Sequence, residues 1–345
     1  MMKKVIYINY MKQFGHINFD QIHINALLEQ GYDVKVVMHH DVAQKMKLQQ
    51  NMYALILPVF LGHDYKSAIF NRLLYILTLI YIKLHINFSK FDYCIISNID
   101  EITLSIVPLA KKMYLFCHGS IEDLDNKIKF LFLKHLSYNH IFLVFNKDMK
   151  QPFKKKNFDN IHVISHGCIP PFKEICSPTK YDKLLNAYDF IVFHPSTKAD
   201  LSFLKEIYSK ENNEALKKNN ILLLLRNNPF EDKNYSNIKF INAYLEAFEY
   251  QNLLKKSNII LLAYPKNFQY KVSGVSFECI ANQKNILVLH NQSFDYCKTY
   301  YNYNIFFNSA DEAIQKLTKM KNNHNNYKCI ITPKDLMPNY SEILQ

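Results

Sequence analysis

Two short segments carry most of the chemistry in this 345-residue chain. The first is Tyr270-Lys271-Val272-Ser273-Gly274-Val275-Ser276-Phe277-Glu278, which follows a strand and loop and runs into a helical pattern (Phe277, Ile280, Ala281). Ser273-Gly274 therefore opens a helix. Its unpaired backbone N–H groups and the positive end of the helix dipole form a site for a phosphate or diphosphate. Glu278 falls one turn further on, about 6 Å along the axis at a rise of 1.5 Å per residue. A carboxylate there can accept two hydroxyl hydrogen bonds, as a ribose offers, or can serve simply as a charge that favours the dipole. The second segment is Leu115-Phe116-Cys117-His118-Gly119-Ser120. His118 sits at the carboxyl end of a buried strand, where it either satisfies a structural role or contacts a reacting sugar. Gly15-His16 comes straight after the first strand and opens the first helix. A glycine there makes an ordinary turn or lets a substrate approach the backbone closely.

The elements that must position these residues are read from hydrophobic runs. Strands are expected at Val5–Asn9, Val34–Met38, Ala54–Pro58, Tyr93–Ser97, Met113–Cys117, Ile141–Phe145 and Ile161–Ile164. Helical patterns separate them, among them Phe19–Glu29, Ser67–Ile86, Glu101–Lys111 and Lys127–Leu136. Short apolar runs without strict alternation, spaced by helices, imply a parallel sheet covered on both faces. The rhythm stops at His166-Gly167-Cys168-Ile169-Pro170-Pro171, where Gly167 reads as a hinge. It restarts with Phe190–Phe193, Ile221–Leu225, Ile238–Ile241, Ile259–Ala263, Ile286–His290 and Ile305–Phe307. The expected organisation is a first Rossmann-like domain over 1–168, a linker over 169–182, a second Rossmann-like domain over 183–325, and a tail over 326–345 packing back toward the first domain. The expected site is a cleft between the carboxyl ends of the two sheets.

Composition removes several classes. Six glycines stand where average usage near 7% would give about 24, and no two lie close enough for a Walker loop or a G-x-G-x-x-G fingerprint. Seven scattered cysteines without C-x-x-C spacing argue against structural zinc or a disulfide framework and fit a reducing compartment. The net charge of +12 is spread over both halves, which argues against a nucleic-acid face and suits anionic lipid or phosphorylated substrates. No uninterrupted apolar run reaches about 18 residues, and the amino terminus reads as a strand rather than a signal peptide, so a cytoplasmic protein is expected.

With these residues in place, the chain resembles GT-B-fold nucleotide-sugar-dependent glycosyltransferases, and family four of the retaining enzymes in particular. Ser273 to Leu287 looks like that family's donor-binding segment, Phe116 to Ser120 like its strand-end His-Gly, and Asn237–Ala263 with Tyr264-Pro265 like its base-holding stretch. The resemblance implies an α/β protein of two Rossmann-like parallel-sheet domains facing each other across a cleft. It implies a retaining hexosyltransferase acting in bacterial surface polysaccharide synthesis (capsule, lipopolysaccharide or glycoconjugate). By the same resemblance, Glu278 binds the ribose of the donor, and the amides of Ser273, Gly274 and Val275 bind its diphosphate. His118 touches the sugar, Lys198 and Arg226 neutralise diphosphate charge, and Gly15 and His16 face the acceptor. Tyr270 and Lys271 complete the donor side. Tyr270 stands eight residues before Glu278, where the family usually has a second glutamate. No cofactor or metal is expected, since the donor is a substrate and two cations are available to neutralise its diphosphate.

Two other readings are open. A UDP-N-acetylglucosamine 2-epimerase-like enzyme needs carboxylates at the first domain's strand ends, where Asp100, Glu101 and Glu122 are candidates. A non-catalytic nucleotide-sugar binder is permitted by Tyr270. The run Arg72 to Lys83, apolar almost all round, is a buried helix or an interfacial one near a lipid-linked glycan acceptor. Lys147, Lys150, Lys154, Lys155 and Lys156 form a solvated face or a patch for anionic lipid. Peripheral association with the cytoplasmic face of the inner membrane is the expectation that follows.

Overall fold

The computed structural model describes residues 2–12, 14–119, 121–173, 178–227, 229–231 and 233–344. The chain divides into two compact units, Met1–Gly167 with Leu336–Gln345, and Cys168–Asp335. Part of the expected linker, residues 174–177, and Ser120 of the His-Gly segment lie outside the described residues.

The first unit is built on strands β1 (Lys4–Asn9), β2 (Asp33–His39), β3 (Tyr53–Leu57), β4 (Tyr93–Ile96), β5 (Tyr114–Phe116), β6 (Ile141–Val144) and β7 (Ile161–Val163). They form one sheet in the order β3-β2-β1-β4-β5-β6-β7, and every neighbouring pair is parallel. The helices are α1 (Ile17–Glu29), α2 (His40–Ala43), α3 (Ala68–His85), α4 (Glu101–Ile106), α5 (Lys127–Ser137) and α6 (Lys147–Lys155). Val5, Ile6, Tyr7 and Ile8 are fully buried, as a strand covered on both faces must be. Chain order reverses direction between β1 and β4, so the residues following those strands sit at a topological switch point. Asn9, His16 and Ser97 are there.

The second unit uses β8 (Phe190–His194), β9 (Ile221–Arg226), β10 (Ile238–Ile241), β11 (Ile259–Leu262), β12 (Asn285–Leu289) and β13 (Phe306–Phe307). Its parallel sheet runs β10-β9-β8-β11-β12-β13, with the switch between β8 and β11. Helices α7 (Asp182–Leu185), α8 (Leu201–Ile207), α9 (Lys210–Lys218), α10 (Ala247–Lys256), α11 (Gly274–Ala281) and α12 (Ala310–Asn322) complete it. Ile221, Leu223, Leu225, Ile259 and Leu261 form the centre of its core with Leu317 and Phe307. Residues 326–330 stay with this unit because Cys329 bridges Tyr301 and Lys328 N–H donates to Asn302. Residues from Leu336 on belong to the first unit. Tyr340 is buried there, and the Leu344 carbonyl accepts from Tyr93.

Four features depart from the hydrophobic pattern. α4 stops at Ile106, short of Lys111, because Pro108 forces Val107 out of the helical region (φ −125, ψ 75). α9 is too polar to announce itself by periodicity, and Ser209 caps it through Asn212 N–H at 3.2 Å. Gly167 has a left-handed backbone (φ +76), and a Cβ there would lie 2.3 Å from Ile22 Cγ2, so close packing fixes this glycine. α3, finally, is not a buried helix, since Thr78, Leu79 and Ile82 are its only buried residues.

Candidate functional site

In the second unit the site starts from the turn at Ser273. Ser273 has an extended backbone, but its side chain does not cap α11. Its hydroxyl pairs instead with Tyr264 OH at 2.9 Å. Ser276 Oγ donates to the Ser273 carbonyl (2.6 Å) and pairs with Tyr296 OH (2.7 Å), and Tyr296 stacks on Phe277. Two tyrosines thus hold the turn from within, and among the described residues no side chain caps the N–H groups of Gly274 and Val275. Gly274 is exposed, and a Cβ built on it meets nothing within 4 Å. Packing places no demand for glycine at this position. What the arrangement offers is a preorganised, uncapped helix N-terminus next to open space, which suits an anion.

Glu278 lies one turn along α11 and is half-buried. Its Oε2 accepts a 2.6 Å hydrogen bond from Tyr250 OH on α10. Burial raises the carboxyl above its usual range, and the tyrosine bond partly offsets that. Arg226, at the end of β9, lies over the other side of the Tyr250 system, with Cζ 5.9 Å from the ring centroid. Its Nε donates to the Ala243 carbonyl (2.7 Å) and Nη1 to the Pro195 carbonyl (3.0 Å). The guanidinium therefore ties together the loops after β8 and β10. Lys198 sits in the first of those loops, exposed, with its N–H on Ser196 Oγ at 3.0 Å. Tyr270 has a left-handed backbone (φ +53) unusual for a bulky residue, in a loop pinned by Asn291 to the Pro265 carbonyl and by Ser293 to the Phe268 carbonyl. Lys271 and Val275 are half-buried beside the turn.

In the first unit the structure brings His16 and His118 together, with ring centroids 4.2 Å apart. Gly15, one residue earlier, is exposed. His118 Nε2 donates to the Ser97 carbonyl at 3.2 Å, which leaves Nδ1 as the ring's basic atom. Two further histidines join them around Phe19. His23 lies 4.2 Å and His166 5.1 Å from its ring. His23 is paired with Tyr340 OH at 2.7 Å, and His166 Nδ1 donates to the Gly167 carbonyl. Burial holds His16 and His166 down to about 4, and His23 and His118 well below the usual range, helped by their neighbours. All four are neutral at pH 7. Beneath them Asp20 accepts from Tyr7 OH (2.9 Å), Asn9 Nδ2 (2.6 Å) and Ser97 Oγ, and burial pushes it up to about 6. Asp20 thus fixes α1 to β1 and to the segment that holds His118. Among the described residues, no three His, Cys, Asp or Glu side chains are placed to share a metal ion.

Element placement in the sequence points to His16, His118 and the Ser273–Glu278 turn, and the family resemblance adds Arg226 and Lys198. Neither points to Tyr250, Tyr264, Tyr296, Asp20 or His23. Their partners lie far off in sequence, and a tyrosine or histidine among 24 tyrosines and 14 histidines carries no local signal. His166, which stands where the strand rhythm stops, carries no local signal either, yet its ring packs against Phe19 and Phe145.

No protein-family model matches the chain, and no curated protein sequence matches it. Solved structures do. Anabaena HepE, solved with UDP and glucose, superposes with a TM-score of 0.57 at 10% identity over 94% of this chain and 91% of its own. A UDP-N-acetylglucosamine 2-epimerase gives 0.57 at 11% identity, over 94% and 89%. Arabidopsis thaliana UGT89C1, solved with quercetin, gives 0.54 at 12% identity, over 94% and 90%. These neighbours are enzymes of the GT-B fold, and the two parallel-sheet α/β units of this chain have that fold. At such identities the likeness is one of fold.

Proposed function

We propose that the chain is a glycosyltransferase that moves a hexose from a nucleoside-diphosphate sugar to a glycan or lipid-linked glycan acceptor. The reaction class we favour is retaining and metal-independent, in bacterial surface polysaccharide synthesis at the cytoplasmic face of the membrane. The observation that carries this is the pairing of a free-standing helix N-terminus at Gly274 with Glu278, one turn on and oriented by Tyr250. The turn takes the diphosphate and Glu278 the ribose hydroxyls. Departure of the diphosphate is then assisted by the fixed N–H dipoles and by the anchored guanidinium of Arg226, which need no reorganisation as charge develops, with Lys198 adding positive charge from its loop. In the first unit, neutral His118 with a basic Nδ1 suits contact with a sugar hydroxyl, and His16 and Gly15 suit the acceptor side.

The epimerase-like reading shares the fold, and its neighbour gives it standing. Its candidate carboxylates Asp100 and Glu101 are structurally engaged. Asp100 caps α4 through Thr103 N–H and pairs with Arg72, while Glu101 is buried beside Lys129. That favours transfer over epimerisation. A thermal-shift panel of UDP, GDP, ADP and CDP tests the proposal. One nucleoside diphosphate at 100 times its dissociation constant should add about 2.7 kcal/mol of stability. No shift with any of them contradicts the reading. Conversion of UDP-N-acetylglucosamine without acceptor would favour the epimerase, and binding without turnover of any sugar donor would favour a non-catalytic binder.

A further inference from the structure

Helix α3 is the least protected apolar element of the chain. It has 18 residues, AIFNRLLYILTLIYIKLH, without a single carboxylate, and only three of them are buried. Ile69, Phe70, Leu73, Leu77, Ile80 and Leu84 are 41% to 78% exposed. The 73-77-80-84 spacing places them on one helix face. Val59 and Phe60, just before the helix, are exposed as well. Helix α4, which packs on α3, exposes Ile106, and α5, which packs on α4, exposes Ile128 and Leu131. A soluble monomer rarely leaves a row of large apolar side chains on one helix face uncovered, so such a face marks a contact.

By length and composition α3 could cross a membrane. Its attachments give it a different posture. Thr78, Leu79 and Ile82 pack into the first unit, Arg72 pairs with Asp100 at 3.1 Å, and Lys83 Nζ donates to the Pro108 carbonyl at 3.0 Å. The helix, about 27 Å long, is fixed lengthwise to its domain and presents one side outward. The charges around that side are mostly basic. Arg72 and Lys83 lie within the helix, and Lys66 and Lys90 flank it, both exposed. The nearest carboxylates in sequence are Asp64 and Asp92.

We propose that the outer face of α3 docks this protein on an anionic lipid bilayer, its apolar side chains entering the headgroup boundary and its flanking cations meeting lipid phosphates. A second copy of the chain is the poorer occupant, because joining two such faces brings like-charged rims together in a molecule of net charge +12. The inference stands apart from the nucleotide site, which lies in the other unit.

Vesicle flotation tests it, using phosphatidylcholine vesicles with and without about one-third phosphatidylglycerol. The wild-type chain should float with the anionic vesicles at least tenfold more than with the neutral ones. The triple variant Leu73→Gln, Leu77→Gln, Ile80→Gln changes only exposed or half-exposed positions. It should keep the melting temperature and the nucleotide-induced shift, and it should lose at least fivefold in flotation. Wild-type protein that stays in solution with both vesicle types overturns the proposal, and so does a variant that floats as well as wild type. Light scattering that finds a dimer abolished by the triple substitution assigns the face to a second copy instead and likewise overturns it.

Discussion

Gly274→Val is expected to abolish nucleotide binding, with affinity falling more than 100-fold, while leaving the melting temperature within about a degree. The two halves of this expectation come from one geometry. A Cβ at Gly274 meets no protein atom within 4 Å, and the residue's backbone is not left-handed, so neither clash nor strain opposes the substitution. At the first position of a helix a branched residue replaces glycine at a cost of a few tenths of a kcal/mol in either direction. The space that the valine methyls enter is the space that, on the proposed reading, the diphosphate needs against the first-turn N–H groups. Loss of more than about 2.7 kcal/mol of binding corresponds to the 100-fold change. Calorimetric titration beside a thermal melt reads both quantities. A variant that melts early, or one that binds as well as wild type, would show that the glycine serves the fold or nothing.

Acidification should destabilise the chain by several kcal/mol between pH 6.5 and 4. His16 and His166 are held at about 4, and His23 and His118 well below the ordinary value near 6.5, chiefly by burial. In this window the unfolded chain takes up protons that the folded histidines refuse. Stability is full above pH 6.5 and is lost as the pH falls toward 4, at about 1.4 kcal/mol per pH unit for each such group. His194, buried at the end of β8 and also held at about 4, adds to the loss from the second unit. Asp20 acts in the opposite sense. Raised to about 6, it is protonated in the fold before it is protonated in the unfolded chain, and it returns part of the loss between pH 6 and 4. Several histidines outweigh one acid. Urea midpoints at pH 7.5 and 5 measure the difference, and equal midpoints would mean that the histidine cluster is open to water.

The sheets were legible because buried parallel strands are short unbroken apolar runs, and all thirteen observed strands overlap runs visible in the sequence. Helix starts were legible where a cap stands, as at Asp100 or Asn126, whereas the end of α4 before Pro108 was not, nor was α9, whose polarity hides the period. The Ser273–Glu278 turn could be read because helix-start chemistry is local. Tyr250 could not, since it reaches Glu278 from 28 positions away. The same holds for Asp20, whose three partners come from β1 and the segment after β4. The exposure of α3 was beyond reach for a different reason. An apolar stretch reads the same whether a core or a lipid surface covers it.

The reading of the second unit as a donor site is tested most directly by titrating Glu278→Ala with the nucleoside diphosphate that binds wild type best. Removing the carboxylate deletes a charge-assisted hydrogen-bond pair to the ribose, worth about 1.5–3 kcal/mol. It leaves Tyr250 on a surface that water can reach. The account predicts affinity weaker by roughly 10- to 150-fold, with the fold intact. Unchanged affinity in Glu278→Ala would contradict it.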